Sequence, residues 1–332
     1  MQQIPEITQL AELCCFYGER FDLTQAAGGN ISVKFNDLMV IKASGVALSF
    51  VTEESGYATI DNKELKTDVE AGRYGKITAY NDSITGPRGS METYMHSFLY
   101  RYVVHLHPIQ TLSILACEDA REICNELFPK ACFLSYVAPG VELSKELLKR
   151  WKGEKLILLA NHGIVVTSNS ITEVHQIISN CLNRFEVNHD SNFSHYKSVN
   201  RISSIFNQVT KERTVTHLVE DSAILIFIDN FNFSIFPDKV IYCGAKFITC
   251  KKLTKSVLSS FIKKEGYTPK VVVTNDGVYT VGKSLSHCRD IESVLKAHLM
   301  SSSPYSINKL TKAQESELIS MESEKYRTKQ CV

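Results

Sequence analysis

The sequence has 332 residues, of which 44% are hydrophobic and 22% charged, with a formal net charge of +1. This length allows one large domain or two modest ones, and the balanced charge gives no electrostatic reason to expect nucleic acid or an anionic membrane as a partner. Because the chain lacks both an apolar run of about 18 residues and a basic-then-apolar N-terminus, we expect neither a membrane span nor a secretory signal.

Ten cysteines are scattered without repeated spacing, and no Cys-x-x-Cys pair occurs. Several lie inside apolar segments, as free thiols that act as small hydrophobic residues do. The pattern predicts a reduced, cytoplasmic protein without a disulfide framework or a second, structural zinc site. The sequence shows no internal repeat and no low-complexity tract.

The first elements are a helix, a glycine loop and two strands. Apolar residues at helical spacing predict a helix over residues 5–21. The loop that follows contains Gly28 and Gly29, and the alternation of ISVKF and LMVIK predicts strands. Glycines let a backbone approach a ligand closely, and free N–H groups can hold a phosphate, although an ordinary glycine turn explains the loop equally simply. Residues 52–86 are predicted to form a short hairpin and a surface excursion.

The next segment carries a carboxylate and three histidines within a few residues. Glu92 and His96 are four residues apart and would face the same side of a helix. The run that follows is rich in Tyr and Val, which predicts a strand, and on a strand His105 and His107 would project from one face. Two such imidazoles can begin a zinc site, or they can be partly buried polar side chains with no metal.

A further histidine, His162, interrupts the apolar run KLILLANHGIVVT. The two halves of this run predict buried strands joined by a tight connection at Gly163. His162 is then either part of a turn or a third metal ligand. Helices are predicted over residues 109–128, 143–151 and 171–187, and their alternation with strands indicates an α/β layered domain.

The C-terminal part of the chain begins after a Ser/Asn-rich stretch. We predict a catalytic domain over residues 1–190, a linker over 191–207 and a smaller α/β region over 208–332. Within the last region, strands are expected in AILIFIDNF, KVIYCG and KFITC, and a hairpin in KVVVTNDGVYTVG. A helix over residues 286–300 and a helical tail from residue 311 close the prediction.

Five motifs occur in an order that resembles the class II aldolase/adducin family: GGNISVK from Gly28, KASG from Lys42, Ser90-Met91-Glu92 with His96, His105-Leu106-His107-Pro108, and Asn161-His162-Gly163. The resemblance covers roughly residues 5–190. Within the family, the Glu-to-His spacing and the segment Tyr136–Gly140 are most similar to the aldolase part of bifunctional rhamnulose-1-phosphate aldolase/dehydrogenases. The resemblance implies a class II aldolase-like α/β/α domain with a C-terminal α/β extension.

The resemblance also implies a set of site residues. His105, His107 and His162 correspond to metal ligands, and Glu92 corresponds to the catalytic base and to a ligand in the substrate-free state. The phosphate-binding set of the family corresponds to Gly29, Asn30, Ser44, Gly45 and Ser90. Two departures, Met91 and Ala43, weaken the expectation of a phosphate in the usual pocket. His96 either orients Glu92 or packs in its helix.

The function implied is a zinc-type lyase of carbohydrate metabolism that cleaves or forms a carbon–carbon bond in a ketose or ketose phosphate. Negative charge develops on the carbonyl oxygen as an enediolate, and a divalent ion, expected to be Zn²⁺ at one per chain, stabilises it. Two alternatives remain open: a pentulose-phosphate 4-epimerase with the same site and a non-catalytic, adducin-like interaction protein. By resemblance the protein is a homo-oligomer, a tetramer, that binds a sugar or sugar phosphate and neither nucleic acid nor membrane.

Overall fold

The computed structural model describes residues 4–75, 83–185, 193–228, 233–301 and 309–320. The chain divides into two compact units, Met1–Ser191 and Asn192–Val332. No helix within these described stretches is long and apolar enough to cross a membrane. The nine cysteines that they contain are free thiols.

The first unit is built on an eight-stranded sheet in the order β4-β3-β2-β1-β5-β8-β7-β6. All neighbouring strands run antiparallel except β6 and β7, which are parallel. The strands are β1 (Asn30–Phe35), β2 (Leu38–Lys42), β3 (Tyr57–Asp61), β4 (Ser83–Thr85), β5 (Tyr102–Leu106), β6 (Cys132–Leu134), β7 (Leu156–Leu159) and β8 (Gly163–Ser168). β5 therefore lies at the centre of the sheet, between β1 and β8.

Helices cover both faces of this sheet. They are α1 (Pro5–Gly18), α2 (Asn62–Glu70), α3 (Thr93–Phe98), α4 (Ile109–Leu115), α5 (Ala120–Leu127), α6 (Val141–Arg150) and α7 (Ile171–Arg184). Successive residues of a strand face opposite sides, and on β5 Val104 packs in the core with α1 and α7, while Val103 packs in the core with α3 and α6. The predicted α/β/α layering is thus confirmed.

Two local predictions in this unit are wrong. Residues 109–128 form two helices, because the exposed polar residues Cys117–Asp119 separate the buried Leu115 from the buried Cys124. Within residues 52–86 the strands β3 and β4 pair antiparallel, but the helix α2 lies between them, so they form no short hairpin. The side chain of Asp61 accepts a hydrogen bond from the N–H of Glu64 and so caps α2, a helix-start signal that the polar composition of the segment obscured.

The second unit begins with a helix where the sequence predicted a linker. The predicted linker over residues 191–207 is wrong, since α8 spans Ser194–Thr210. Val199, Ile202 and Phe206 are fully buried. Their spacing of three and four residues places them on one helical face, and this apolar stripe outweighs the Ser/Asn content that suggested a linker.

The rest of this unit is a four-stranded sheet in the order β10-β11-β12-β9, packed with helices. Its elements are β9 (Val215–Leu218), α9 (Ser222–Phe227), a π-helix (Lys239–Cys243), β10 (Ile248–Thr249), α10 (Lys255–Glu265), β11 (Val271–Thr274), β12 (Gly277–Gly282), α11 (Leu285–Met300) and α12 (Lys312–Ser320). The hairpin predicted at residues 275–277 is confirmed. The strands predicted in AILIF and KVIYC are helical, because a short unbroken apolar run fits a helix as well as a strand.

Candidate metal centre

Three histidine side chains meet beside the centre of the first sheet. His105 lies on β5, paired with Val165 of β8, and His107 follows directly after the end of that strand. His162 comes from the short connection between β7 and β8. The ring centroids of His105 lie 4.8 Å from those of both His107 and His162, and the latter two are 5.1 Å apart. The structure thus brings together the three histidines that the sequence proposed as ligands.

Close packing of β8 against β5 brings His162 to its two partners. Gly163 begins β8 with a φ of +155°, and a methyl group on its Cα would lie 2.3 Å from the carbonyl oxygen of Leu106. That contact is with backbone, so a side chain would force the two strands apart. Glycine at this position therefore sets the distance between His162 and the histidines of β5.

The three imidazoles converge through their ring nitrogens. The Nδ1–H of the buried His105 donates to the carbonyl oxygen of Ile164 at 2.9 Å, which leaves the His105 Nε2 without a proton in the neutral ring. That atom lies 3.0 Å from the Nε2 of His107. The ligating atoms of all three histidines lie within 4.8 Å of one another.

Burial keeps these imidazoles neutral. Desolvation lowers the pKa of His105 to about 4, that of His107 to about 3 and that of His162 to about 4. The repulsion that protonated neighbouring imidazoles would exert lowers the pKa of His107 and His162 further. A neutral imidazole is the form that binds a metal ion, so no proton has to be displaced at pH 7.

Glu92 completes the cluster from the residue before α3. Its side chain is buried, with Oε2 3.4 Å from the Nε2 of His105 and Oε1 3.5 Å from the Nε2 of His162. Oε1 has no hydrogen-bond partner among the described residues. A cation would bind both the carboxylate oxygen, which is buried without a partner, and the imidazole nitrogens that face each other. This donor set fits a divalent metal ion.

Asn30 holds the carboxylate in place. The side-chain amide of this buried residue, at the start of β1, donates to the Oε2 of Glu92 at 2.6 Å. The sequence had assigned Asn30 to phosphate binding and considered His96 for this orienting role. His96 instead accepts or donates a hydrogen bond with the Ser32 hydroxyl at 2.7 Å, on the buried side of α3. No local signal reveals the Asn30 contact, because it depends on how β1 lies against β5.

The residues proposed for phosphate binding lie on three segments around Glu92. The N–H of Ser44 donates to the carbonyl of Arg88 at 2.9 Å, which joins the loop after β2 to the segment that contains Ser90. The Ser90 hydroxyl in turn accepts a bond from the N–H of Glu92 at 3.3 Å. Gly29 has a φ of +70°, and a methyl group there would lie 2.8 Å from the carbonyl oxygen of His105.

A family model describes this part of the chain. The class II aldolase and adducin N-terminal domain matches residues 8–187, more than half of the sequence. The chain belongs to the class II aldolase and adducin family. The family resemblance inferred from the motifs is therefore confirmed, and the α/β fold agrees with it.

Among individual relatives, a 3-oxo-tetronate 4-phosphate decarboxylase from Pectobacterium atrosepticum is 30% identical over 120 residues, which span 31% of this chain and 55% of that enzyme. An L-fuculose phosphate aldolase from Methanococcus maripaludis is 24% identical over 178 residues, or 51% of this chain and 88% of that enzyme. Among solved structures, the N-terminal class II aldolase domain of a conserved Thermoplasma acidophilum protein is 25% identical, with a TM-score of 0.48, and covers 54% of this chain and 92% of that domain.

The first of these relatives is named as a decarboxylase and the second as an aldolase, and both names specify a phosphorylated substrate. The finer likeness to the bifunctional rhamnulose-1-phosphate enzymes stays a prediction. The domain boundary after residue 190 is also a prediction, although the family match ends close to it, at residue 187.

Proposed function

We propose that the protein is a metal-dependent class II aldolase that cleaves or forms a carbon–carbon bond in a ketose or ketose phosphate. The observation that carries this proposal is the convergence of three neutral imidazoles and one carboxylate beside β5. Family membership and the activities of the relatives support it. His105, His107 and His162 would hold one divalent ion, proposed to be Zn²⁺, since nitrogen ligands suit that metal.

The bound ion supplies Lewis-acid stabilisation of the negative charge that develops on the substrate carbonyl oxygen. Glu92 moves the proton on carbon, because it is the carboxylate of the cluster and its Oε1 lies beside the metal site, 3.5 Å from the Nε2 of His162. Asn30 positions Glu92 through the bond to Oε2, which leaves Oε1 as the reacting oxygen. Gly29, Ser44, Gly45 and Ser90 would bind the phosphate of a phosphorylated substrate.

A second candidate reaction is decarboxylation of a phosphorylated oxo acid, which the 30% identical relative favours. Decarboxylation also breaks a carbon–carbon bond near a carbonyl group, and negative charge again develops on the carbonyl oxygen. The residues proposed for the aldolase reaction could therefore also catalyse decarboxylation. Epimerisation, the alternative reaction, is tested by including a pentulose phosphate among the assayed substrates. A homo-oligomeric assembly and a cytoplasmic location remain predictions.

Removal of the metal is expected to abolish carbon–carbon bond cleavage. The purified protein is assayed with ketose 1-phosphates, a pentulose phosphate and a phosphorylated oxo acid before and after dialysis against a chelator. Activity with one of these substrates is expected to fall by roughly 10³-fold, the scale of several kcal/mol of lost charge stabilisation, and to return with zinc. Full activity in a preparation shown by elemental analysis to be free of metal contradicts the proposal.

A further inference from the structure

The second unit repeats the order of elements found in the histidine-bearing half of the first unit. From α3 to α7 the chain runs helix, strand, two helices, strand, helix, two strands, helix. Among the described residues, the chain from α8 to α11 runs in the same order, with the π-helix as the second of the two helices. Four strands and five helices thus match in type and order within the described part of the chain.

The strands of the two halves also pair in the same way. Their orders within the two sheets are β5-β8-β7-β6 and β9-β12-β11-β10. The pairs β5/β8 and β7/β8 are antiparallel, as are β9/β12 and β11/β12, whereas β6/β7 and β10/β11 are parallel. Strand order and strand direction are independent of each other, so their joint agreement is a specific similarity.

The correspondence extends to single residues. Gly163 and Gly277 each begin the strand after a tight connection, with φ values of +155° and +147°. Seven residues later, the side chains of Ser170 and Ser284 each cap the following helix by accepting a bond from the N–H three positions further on. The connection reads Asn-His-Gly in the first unit and Asn-Asp-Gly in the second. A single offset therefore relates these features.

Corresponding strand residues also face corresponding cores. Val165 lies in the core with α3 and α6, and Tyr279, at the same offset, lies in the core with α8 and α10. On the opposite faces, Ile164 packs in the core with α7, and Val278 packs in the core with α11. A slip of one residue would turn every side chain to the other face of the sheet, so this agreement fixes the register.

The register identifies the counterparts of the three histidines. His105 lies opposite Val165 in the first sheet, and Leu218 lies opposite Tyr279 in the second. The next histidine follows two residues later, and the third immediately precedes the glycine that begins the next strand. In chain order, the counterparts are therefore Leu218, Glu220 and Asp276, of which the last two have side chains that can bind a metal ion.

The first two turns of α8 cover this position in the second unit. α8 has 17 residues where α3 has 6, and both helices end four or five residues before the next strand begins, so the additional turns lie at the N-terminus of α8. Ser198 and Arg201 donate to the Oδ2 of Asp276, at 3.1 and 3.3 Å. Tyr196 donates to Glu220. Side chains of α8 thus bond both of the counterparts that could bind a metal ion.

The charges at the two positions are exchanged. In the first unit, the carboxylate of Glu92, from the segment before α3, lies 3.5 Å from the Nε2 of His162. In the second, the guanidinium of Arg201 lies 3.3 Å from the carboxylate of Asp276, the counterpart of that histidine. A guanidinium stays protonated, so it pairs with a carboxylate without any metal ion. Among the described residues, the group of three side chains placed to hold a metal ion is that of the first unit.

We infer that residues 194–300 are a second copy of the half-fold of residues 93–184 that has lost its metal centre, and that the guanidinium of Arg201 supplies the positive charge there. The second unit is then a non-catalytic module of the chain. The inference goes beyond the proposed function, because it depends on the strand registers and not on the reaction that the first unit catalyses.

Restoring the donor set in the second unit tests this inference. Leu218→His and Glu220→His supply two imidazoles beside Asp276, and Arg201→Gln removes the opposing charge. These substitutions are combined with His107→Ala, which disables the first cluster, so that bound Co²⁺ reports on the second unit. We expect about one Co²⁺ per chain, with the visible absorption of a tetrahedral ion, against less than about a tenth in His107→Ala alone.

The matched control adds Asp276→Asn to the engineered variant, because two neighbouring imidazoles can bind Co²⁺ weakly without a third ligand. The Kd for Co²⁺ is expected to rise at least about tenfold, since loss of even an outer partner of a ligand has an effect of that size. A folded engineered variant that binds no Co²⁺ overturns the register. Equally tight binding after Asp276→Asn overturns it as well.

A second measurement decides if the engineered variant does not fold. Elemental analysis of His107→Ala, with and without Asp276→Asn, requires no new ligands. An ion that survives in His107→Ala and is lost on adding Asp276→Asn lies in the second unit and overturns the inference, whereas a metal-free His107→Ala supports it. Failure of the proposed function is recognised separately, by a wild-type protein that holds no metal, and it does not affect the Co²⁺ measurement.

Discussion

Replacing His107 or His162 with alanine is expected to empty the metal centre. Each substitution leaves two imidazoles, and a catalytic zinc site needs three protein ligands. His162→Ala also removes the imidazole nitrogen that lies 3.5 Å from the buried Oε1 of Glu92. We expect the metal content to fall from about one ion per chain to less than about a tenth, and lyase activity to fall by roughly 10³-fold.

Elemental analysis of the three proteins, purified side by side, checks the first expectation, and the substrate panel checks the second. His217→Ala is the matched control. That histidine bonds Glu292 in the second unit at 3.0 Å and belongs to no group of three metal-binding side chains among the described residues. It should keep wild-type metal content and activity. Wild-type metal content in both His107→Ala and His162→Ala would contradict the assignment of His107 and His162 as metal ligands.

Glu92→Gln is expected to separate catalysis from metal binding. Glutamine keeps the size of the side chain and can still accept the bond from Asn30, but it cannot take a proton. Because the three histidines remain, the metal content should stay near one ion per chain. The rate constant kcat is expected to fall roughly 10² to 10⁴-fold, the range found when a general base is removed, with little change in KM.

Glu146→Gln provides the control, since Glu146 is a carboxylate on α6 that pairs with Arg150 and not with the histidines. Its kcat should match that of the wild type. If Glu92→Gln loses its metal as fully as the histidine variants do, Glu92 acts chiefly as a metal ligand. A variant with unchanged kcat would remove it from the chemistry altogether.

Patterns within a few residues predicted much of this molecule. The alternation of YVVHLH put His105 and His107 on one face of a strand, and their rings are 4.8 Å apart. The Asn275–Gly277 turn predicted the hairpin of the second unit correctly. The five motifs also identified the family. Each of these signals is local, because backbone geometry alone sets which neighbouring side chains share a face.

Segments without a strong local period were predicted less well. The linker predicted over residues 191–207 overlaps α8, which spans Ser194–Thr210. The strand predicted in AILIFIDNF overlaps α9, which spans Ser222–Phe227. In α8 the buried Val199, Ile202 and Phe206 pack in the core, and in α9 the buried Ile224 does so. An unbroken apolar run of six residues fits either element, so tertiary contacts decide between them.

The sequence by itself determined the family, the chemical identity of the candidate ligands and the pairing of His105 with His107. Only the tertiary structure decided that His162 reaches them and that Asn30 orients Glu92. It also decided that the Lys42 ammonium bonds backbone carbonyls of two separate loops, those of Ala27, Ala43 and Val46. These contacts join residues that are far apart in the chain, and they follow from the order of strands in the two sheets. Strand order depends on the packing of the whole core, which no local pattern encodes.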